Sequence, residues 1–190
     1  PKGSTPEHEL LTLFVRMIAG PLDIHQGSFH PVLQKKYAPR NLSPMTIGTL
    51  TRQLAAYVLY ENPLPMLADS PSAYEGKPAL RFIREVPVYW DETKVLNASV
   101  GRYLAIARRK GNEWYIGCVT DGKARKLKIP LDFLASGVYS AEAYYDGKDA
   151  DVRPEAIDIR EFTVTASDTL RVELAPAGGC ALRLTPSLER

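Results

Sequence analysis

Apolar and polar positions change rhythm once along this chain, near Pro87. Before it, the apolar residues come in blocks. Leu13, Phe14, Val15, Met17, Ile18 and Ala19 form a nearly continuous run, which predicts a strand over 12–19 buried on both faces, as in a parallel sheet covered by helices. Gly20-Pro21 ends that run, and Asp23, His25, Gln26 and Gly27 follow in a short loop. In α/β enzymes chemistry sits on loops leaving the C-terminal ends of such strands. Residues 28–45, with three prolines, read as a long irregular loop. Ser43-Pro44 carries a helix-start signal, a capping residue followed by a first-turn proline. Leu50, Leu54, Tyr57 and Val58 then share one face of a helix over 49–61, which Pro63 stops. Ser70-Pro71 opens a helical turn and Lys77-Pro78 a short helix over 78–85.

After Pro87 the runs are short, alternate, and are broken by turn residues. Strands are expected over 93–98, 101–110, 113–120, 125–130, 138–146, 158–165, 169–174 and 180–185. Lys110-Gly111-Asn112, Asp121-Gly122-Lys123, Asp146-Gly147-Lys148, Ser167-Asp168 and Gly178-Gly179 supply the turns. Such short gaps imply antiparallel hairpins, and a β-sandwich of about eight strands accounts for them. Two parts result, 1–86 and 87–190.

Composition changes this picture little. Apolar residues at 45% and charged ones at 24% are ordinary for a globular protein. A net charge of +2 is weak, and the basic residues at 108–110 and 123–128 are offset by acids elsewhere, so nucleic acid is not expected as a partner. No apolar run approaches the roughly 20 residues of a membrane span. Pro1 is not a natural initiator, so the chain is expected to begin inside a longer translation product or to have been processed. Cys118 and Cys180 each lie in an apolar run and are expected to be buried thiols, without the spacing of a metal site. Glu7, His8 and Glu9 read as polar residues facing water before the first strand. Asp91 and Glu92 are adjacent on an extended segment and point to opposite faces, so they suit hydrogen bonding between domains better than a facing acid pair. Trp90, Trp114, Tyr144 and Tyr145 are expected to pack in the core and between sheets rather than form an exposed stacking platform.

The wording of the chain then becomes specific. FVRMIAGPLD, RQLAAYVLYENPLPMLADSP, VPVYWDET, VGRYLAIARRKGNEWYIG, TDGKARKLKIPLDFL and LAPAGGCALRL, in that order, resemble the C-terminal portion of glycoside hydrolase family 97, which includes α-glucosidases and α-galactosidases. The resemblance implies a parent with an N-terminal β-super-sandwich, a (β/α)8 barrel and a C-terminal β domain. This chain would be an α+β fragment: residues 1–86 the eighth barrel strand, its loop, helix 8 and connecting helices, and residues 87–190 an antiparallel β-sandwich.

Glycoside hydrolysis needs two positioned carboxylates. By resemblance these, and the glutamates that hold a calcium ion, lie on earlier barrel strands, and the EGxxGxE motif comes before this chain starts. The chain alone is therefore expected to be inactive, with Ca2+ belonging to the parent. The family usually reads AGPMDYTPG after its eighth strand, where this chain reads AGPLDIHQG; Asp23 and Gly27 match, while Ile24, His25 and Gln26 depart. Asp23, His25 and Gln26 are the expected substrate-proximal residues. The implied partners are the rest of the parent enzyme, a carbohydrate and possible further copies of the chain, in a periplasmic or secreted setting. The alternative is a carbohydrate-binding or structural, oligomerising β module; the carbohydrate-binding form needs an exposed row of Tyr89, Tyr144 and Tyr145.

Overall fold

Eight strands after Pro87 form the frame of the computed structural model, which describes residues 4–39 and 43–187. Ahead of them lie helix α1 (Pro6–Val15), a 3-10 turn over Arg16–Ala19, strand β1 (Pro31–Val32), a 3-10 turn over Gln34–Lys36 and strand β2 (Thr46–Ile47). Helices α2 (Leu50–Leu59), α3 (Pro71–Tyr74) and α4 (Leu80–Glu85) follow. The frame strands are β3 (Glu92–Ser99), β4 (Tyr103–Lys110), β5 (Glu113–Thr120), β6 (Arg125–Pro130), β7 (Tyr139–Asp146), β8 (Ile157–Val164), β9 (Thr169–Leu174) and β10 (Gly179–Pro186). Each overlaps a strand expected from the sequence.

Six strands form one antiparallel sheet in the order β3-β4-β5-β10-β7-β8, while β6 and β9 pair as a second layer. Alternation explains the layering. Leu127 and Ile129 point inward from β6, and Leu170, Val172 and Leu174 from β9, with charged residues between them facing out. They close over Ala105, Trp114, Ile116, Cys118 and Leu182 on one face of the large sheet.

Helix α2 covers the opposite face. Leu54, Val58 and Leu59 pack with Leu104, Ile106, Tyr115, Val119 and Ala181. All ten residues of α2 are buried, as its apolar stripe predicts. Gly117 permits this close approach: a Cβ there would lie 3.0 Å from the Ala55 carbonyl oxygen and 3.0 Å from the Val58 Cβ. Leu10, Tyr74 and Phe82 join the same core, so the packing runs across Pro87.

Two expectations are corrected. The run at 12–19 is not a strand: residues 6–15 are helical and 16–19 form a 3-10 turn. Thr5 caps the helix by accepting from the His8 N–H, Pro6 sits in the first turn with Glu7 and Glu9, and Leu10 and Leu13 take the i, i+3 spacing on the buried side. The helix satisfies the segment's own N–H and C=O groups internally, without a neighbouring strand. Likewise Ser43-Pro44 does not begin α2. Thr49 does, its hydroxyl accepting from the Arg52 N–H at 3.2 Å, because Thr46–Ile47 is held extended against Pro31–Val32.

Candidate functional site

The loop that was expected to carry function is fixed from several sides. Asn62, next to the proline that ends α2, donates to the Ile24 carbonyl at 2.6 Å and to Gln26 Oε1 at 3.2 Å. Tyr57 donates to the Gln26 carbonyl at 3.2 Å, and Gln53 Oε1 accepts from the Gly27 N–H at 3.2 Å. Tyr74 donates to the Gly27 carbonyl at 3.1 Å and accepts from the Asp69 N–H at 2.8 Å. Helix α2 therefore presents Gln53 and Tyr57 one turn apart to the loop. Burial raises the hydroxyl pKa values of both tyrosines, which keeps them neutral donors.

Asp69 is the anchor of the next turn. Its carboxylate has no exposed side-chain area, and it accepts from the Phe29 N–H at 2.7 Å and the Ser28 hydroxyl at 3.0 Å. His30 Nδ1 lies 3.0 Å from it. Ser28 bonds the carboxylate rather than the imidazole, so the three residues form a loop clamp and not a nucleophile–base relay.

Among the three expected substrate-proximal residues, Asp23 and His25 are exposed and Gln26 is buried against Asn62. Gln26 thus helps to hold the loop, while Asp23 and His25 lie exposed on its surface. Sequence reading missed Gln53, Asn62, Asp69 and Tyr74. The available signal was Asp69 directly before the Ser70-Pro71 turn, where a polar side chain has a rigid corner to work from.

Beside the clamp runs an open groove of about 1310 Å³, lined in part by Leu67, Asp69, Tyr74, Arg81 and Glu85. Arg81 and Glu85 of that lining also belong to an ion-pair network joining α4 to the sheet. Arg183 donates to both oxygens of Glu113 at 2.9 Å and reaches Glu85 at 2.5 Å. Arg81 reaches Glu142 and Glu161 at 3.2 Å each. The Arg183 hydrogen bonds hold the Glu113 carboxyl below its ordinary range.

Other marked residues are structural. Glu9 pairs with Arg52 at 2.8 Å, and Glu7 accepts from the Gly122 N–H at 2.9 Å, so these acids dock α1 rather than merely facing water. Asp91 accepts from the Gly111 N–H at 2.7 Å and Glu92 from Arg109 Nε at 3.1 Å, which ties the WDET segment to the β4–β5 hairpin instead of bridging domains. Trp114 and Tyr144 are buried and Trp90 is half-buried, leaving Tyr89 exposed without the row a sugar platform needs. Cys118 and Cys180 are register partners on β5 and β10, both free and buried, and burial pushes the Cys118 thiol up to about 12. Among the described residues, no group of three His, Cys, Asp or Glu side chains converges as it would around a metal ion. No described helix is long and apolar enough to cross a membrane.

Comparison with known proteins identifies the family of this chain. Residues 89–185 match the family model for the glycosyl hydrolase 97 C-terminal, oligomerisation domain. A retaining alpha-galactosidase of Bacteroides thetaiotaomicron is 38% identical over 179 residues, covering 94% of this chain and 27% of that protein. A probable retaining alpha-galactosidase of Streptomyces bingchenggensis is 31% identical, covering 94% of this chain and 26% of that protein. A glycoside hydrolase family 97 enzyme from Pseudoalteromonas sp. strain K8, solved with acarbose, superposes with a TM-score of 0.86 at 39% identity, covering 97% of this chain and 29% of that one. The chain thus spans little more than a quarter of these relatives. Through its β frame it belongs to glycoside hydrolase family 97, as the C-terminal, oligomerisation part of that fold.

Proposed function

We propose that this chain is the non-catalytic C-terminal part of a retaining α-galactosidase, where it supports the catalytic part and joins copies of the enzyme. The observation that carries the reading is the match of 89–185 to the C-terminal, oligomerisation family model, together with 38% identity to a retaining alpha-galactosidase. The site chemistry agrees. A retaining mechanism needs two carboxyl groups facing across a glycosidic bond. Here Glu9, Asp69, Glu113 and Glu142 are each engaged by Arg52, Ser28 and Phe29, Arg183, or Arg81.

In this reading the region before Pro87 joins the β domain to the rest of the enzyme, a (β/α)8 barrel by family resemblance. The clamp holds the 23–30 loop in one shape, and Asp23 and His25 are its candidates for touching a sugar. Calcium, where the enzyme uses it, binds carboxylates outside this chain. A periplasmic or secreted setting comes with the same resemblance. The test is direct: the purified chain is mixed with a chromogenic α-galactoside and α-glucoside. No turnover is expected; turnover by the chain alone defeats the non-catalytic assignment.

A further inference from the structure

Strand β8 is one outer edge of the six-stranded sheet and β3 is the other. The two edges differ. β3 carries a bulge between Val95 and Asn97, a distortion that discourages pairing with another strand. β8 pairs with β7 without a register shift over eight residues and contains no proline. Its hydrogen-bonding parity follows from the ladder. The Gly147 N–H donates to the Ala156 carbonyl at 3.0 Å, so Asp158, Arg160, Phe162 and Val164 bond toward β7. Ile157, Ile159, Glu161 and Thr163 turn their N–H and C=O groups outward.

That parity limits how two copies of β8 can pair antiparallel about a two-fold axis, because outward-facing residues must meet outward-facing residues. Four registers lie within about one and a half residues of the strand's midpoint. Centring on Arg160 opposes two arginines, centring on Glu161 opposes two glutamates, and centring on Phe162 sets Arg160 against Val164 and Glu161 against Thr163, with no opposite charges across the pair. Centring on Ile159 sets Ile159 against its own copy and places Asp158 opposite Arg160 of the second copy, twice by symmetry. Asp158 and Arg160 already associate within one strand, Arg160 Nε lying 2.9 Å from the carboxylate, so both occupy the same face and are available to an opposing pair. Ile159 is 37% exposed, and the side chains of Arg160 and Glu161 are 62% and 67% exposed.

We propose that two copies of this chain associate through β8 in the Ile159-centred register, extending one sheet into the next. This rests on the oligomerising role in the proposed function and names the surface that carries it. β8 lies wholly inside the matched 89–185 region.

Sedimentation velocity on the full chain tests the proposal. The wild type should show twice the 21.1 kDa chain mass. Ile159→Pro removes an outward N–H that β7 does not use, so it should weaken association about tenfold or more while leaving the fold intact. Asp158→Arg opposes like charges and should also weaken it about tenfold, whereas Asp158→Arg combined with Arg160→Asp restores the complementarity and should recover it. Circular dichroism checks folding; if the proline variant does not fold, the exposed charge pair still decides. A wild type that stays monomeric at about 100 µM overturns the self-association reading as well as the proposal. A dimer indifferent to the charge reversals leaves that reading standing and overturns the β8 assignment.

Discussion

Helix α1 and strand β5 both lean on α2, and they are held there by different means. β5 meets α2 through apolar side chains and is hydrogen-bonded on both sides, to β4 and to β10. α1 buries Leu10 and Leu13 but is otherwise fixed by separate polar points: Glu9 to Arg52, Glu7 to the Gly122 N–H, and the Tyr60 hydroxyl to the Glu9 carbonyl. Its outer side shows Leu11 and Val15, and the 3-10 turn that follows shows Ile18, 85% exposed. The contrast teaches where stability resides. A ladder between two apolar layers opens only as a unit, whereas point contacts open locally.

Substitutions can break this comparison, and the largest effect belongs to the frame. Leu182, fully buried on the central strand β10, becomes a cavity in Leu182→Ala; the expected loss is about 3–4 kcal/mol, read as a lower denaturant midpoint for the whole chain. Glu9→Ala leaves the Arg52 guanidinium buried without its carboxylate. We expect a loss of about 2 kcal/mol, with hydrogen exchange rising across 6–15 while the β4–β5 ladder stays protected.

Asp69→Asn should be milder, at about 1 kcal/mol, because one oxygen still accepts while the partners at Ser28, Phe29 and His30 compete for it. NMR shifts confined to 26–30 would mark it as a loop clamp; global destabilisation equal to that of Leu182→Ala would contradict this. The smallest effect is electrostatic. The folded Glu113 carboxyl titrates below its ordinary value of 4.5, held there first by the Arg183 hydrogen bond. Its stabilisation is therefore present above that value and is lost as pH falls through the lower folded value. Arg183→Gln should flatten this acid limb in thermal melts across the same range.

The same contrast decides what could be read from sequence. In the frame, each β6 or β9 side chain faces either core or water, so alternation such as LKI within RKLKIP makes the strand legible. At 12–19 a continuous apolar run fitted strand and helix equally, and periodicity alone could not separate them. The stronger signal stands upstream, in Thr5-Pro6 with Glu7 and Glu9, which form a helix start and not a polar lead-in. The site was less legible for a related reason. Gln53, Asn62 and Asp69 act on a loop some 26 to 41 residues earlier in the chain, and no local pattern encodes contacts of that span.

Native-state hydrogen exchange on the full chain tests most directly the claim that the β frame, with α2 laid on it, is the stable body and α1 a locally docked segment. The amides of 103–120 and the central part of 50–59 should exchange only through global unfolding, with 6–19 at least about 100-fold less protected. Protection of 6–19 equal to that of 103–120 would contradict the account.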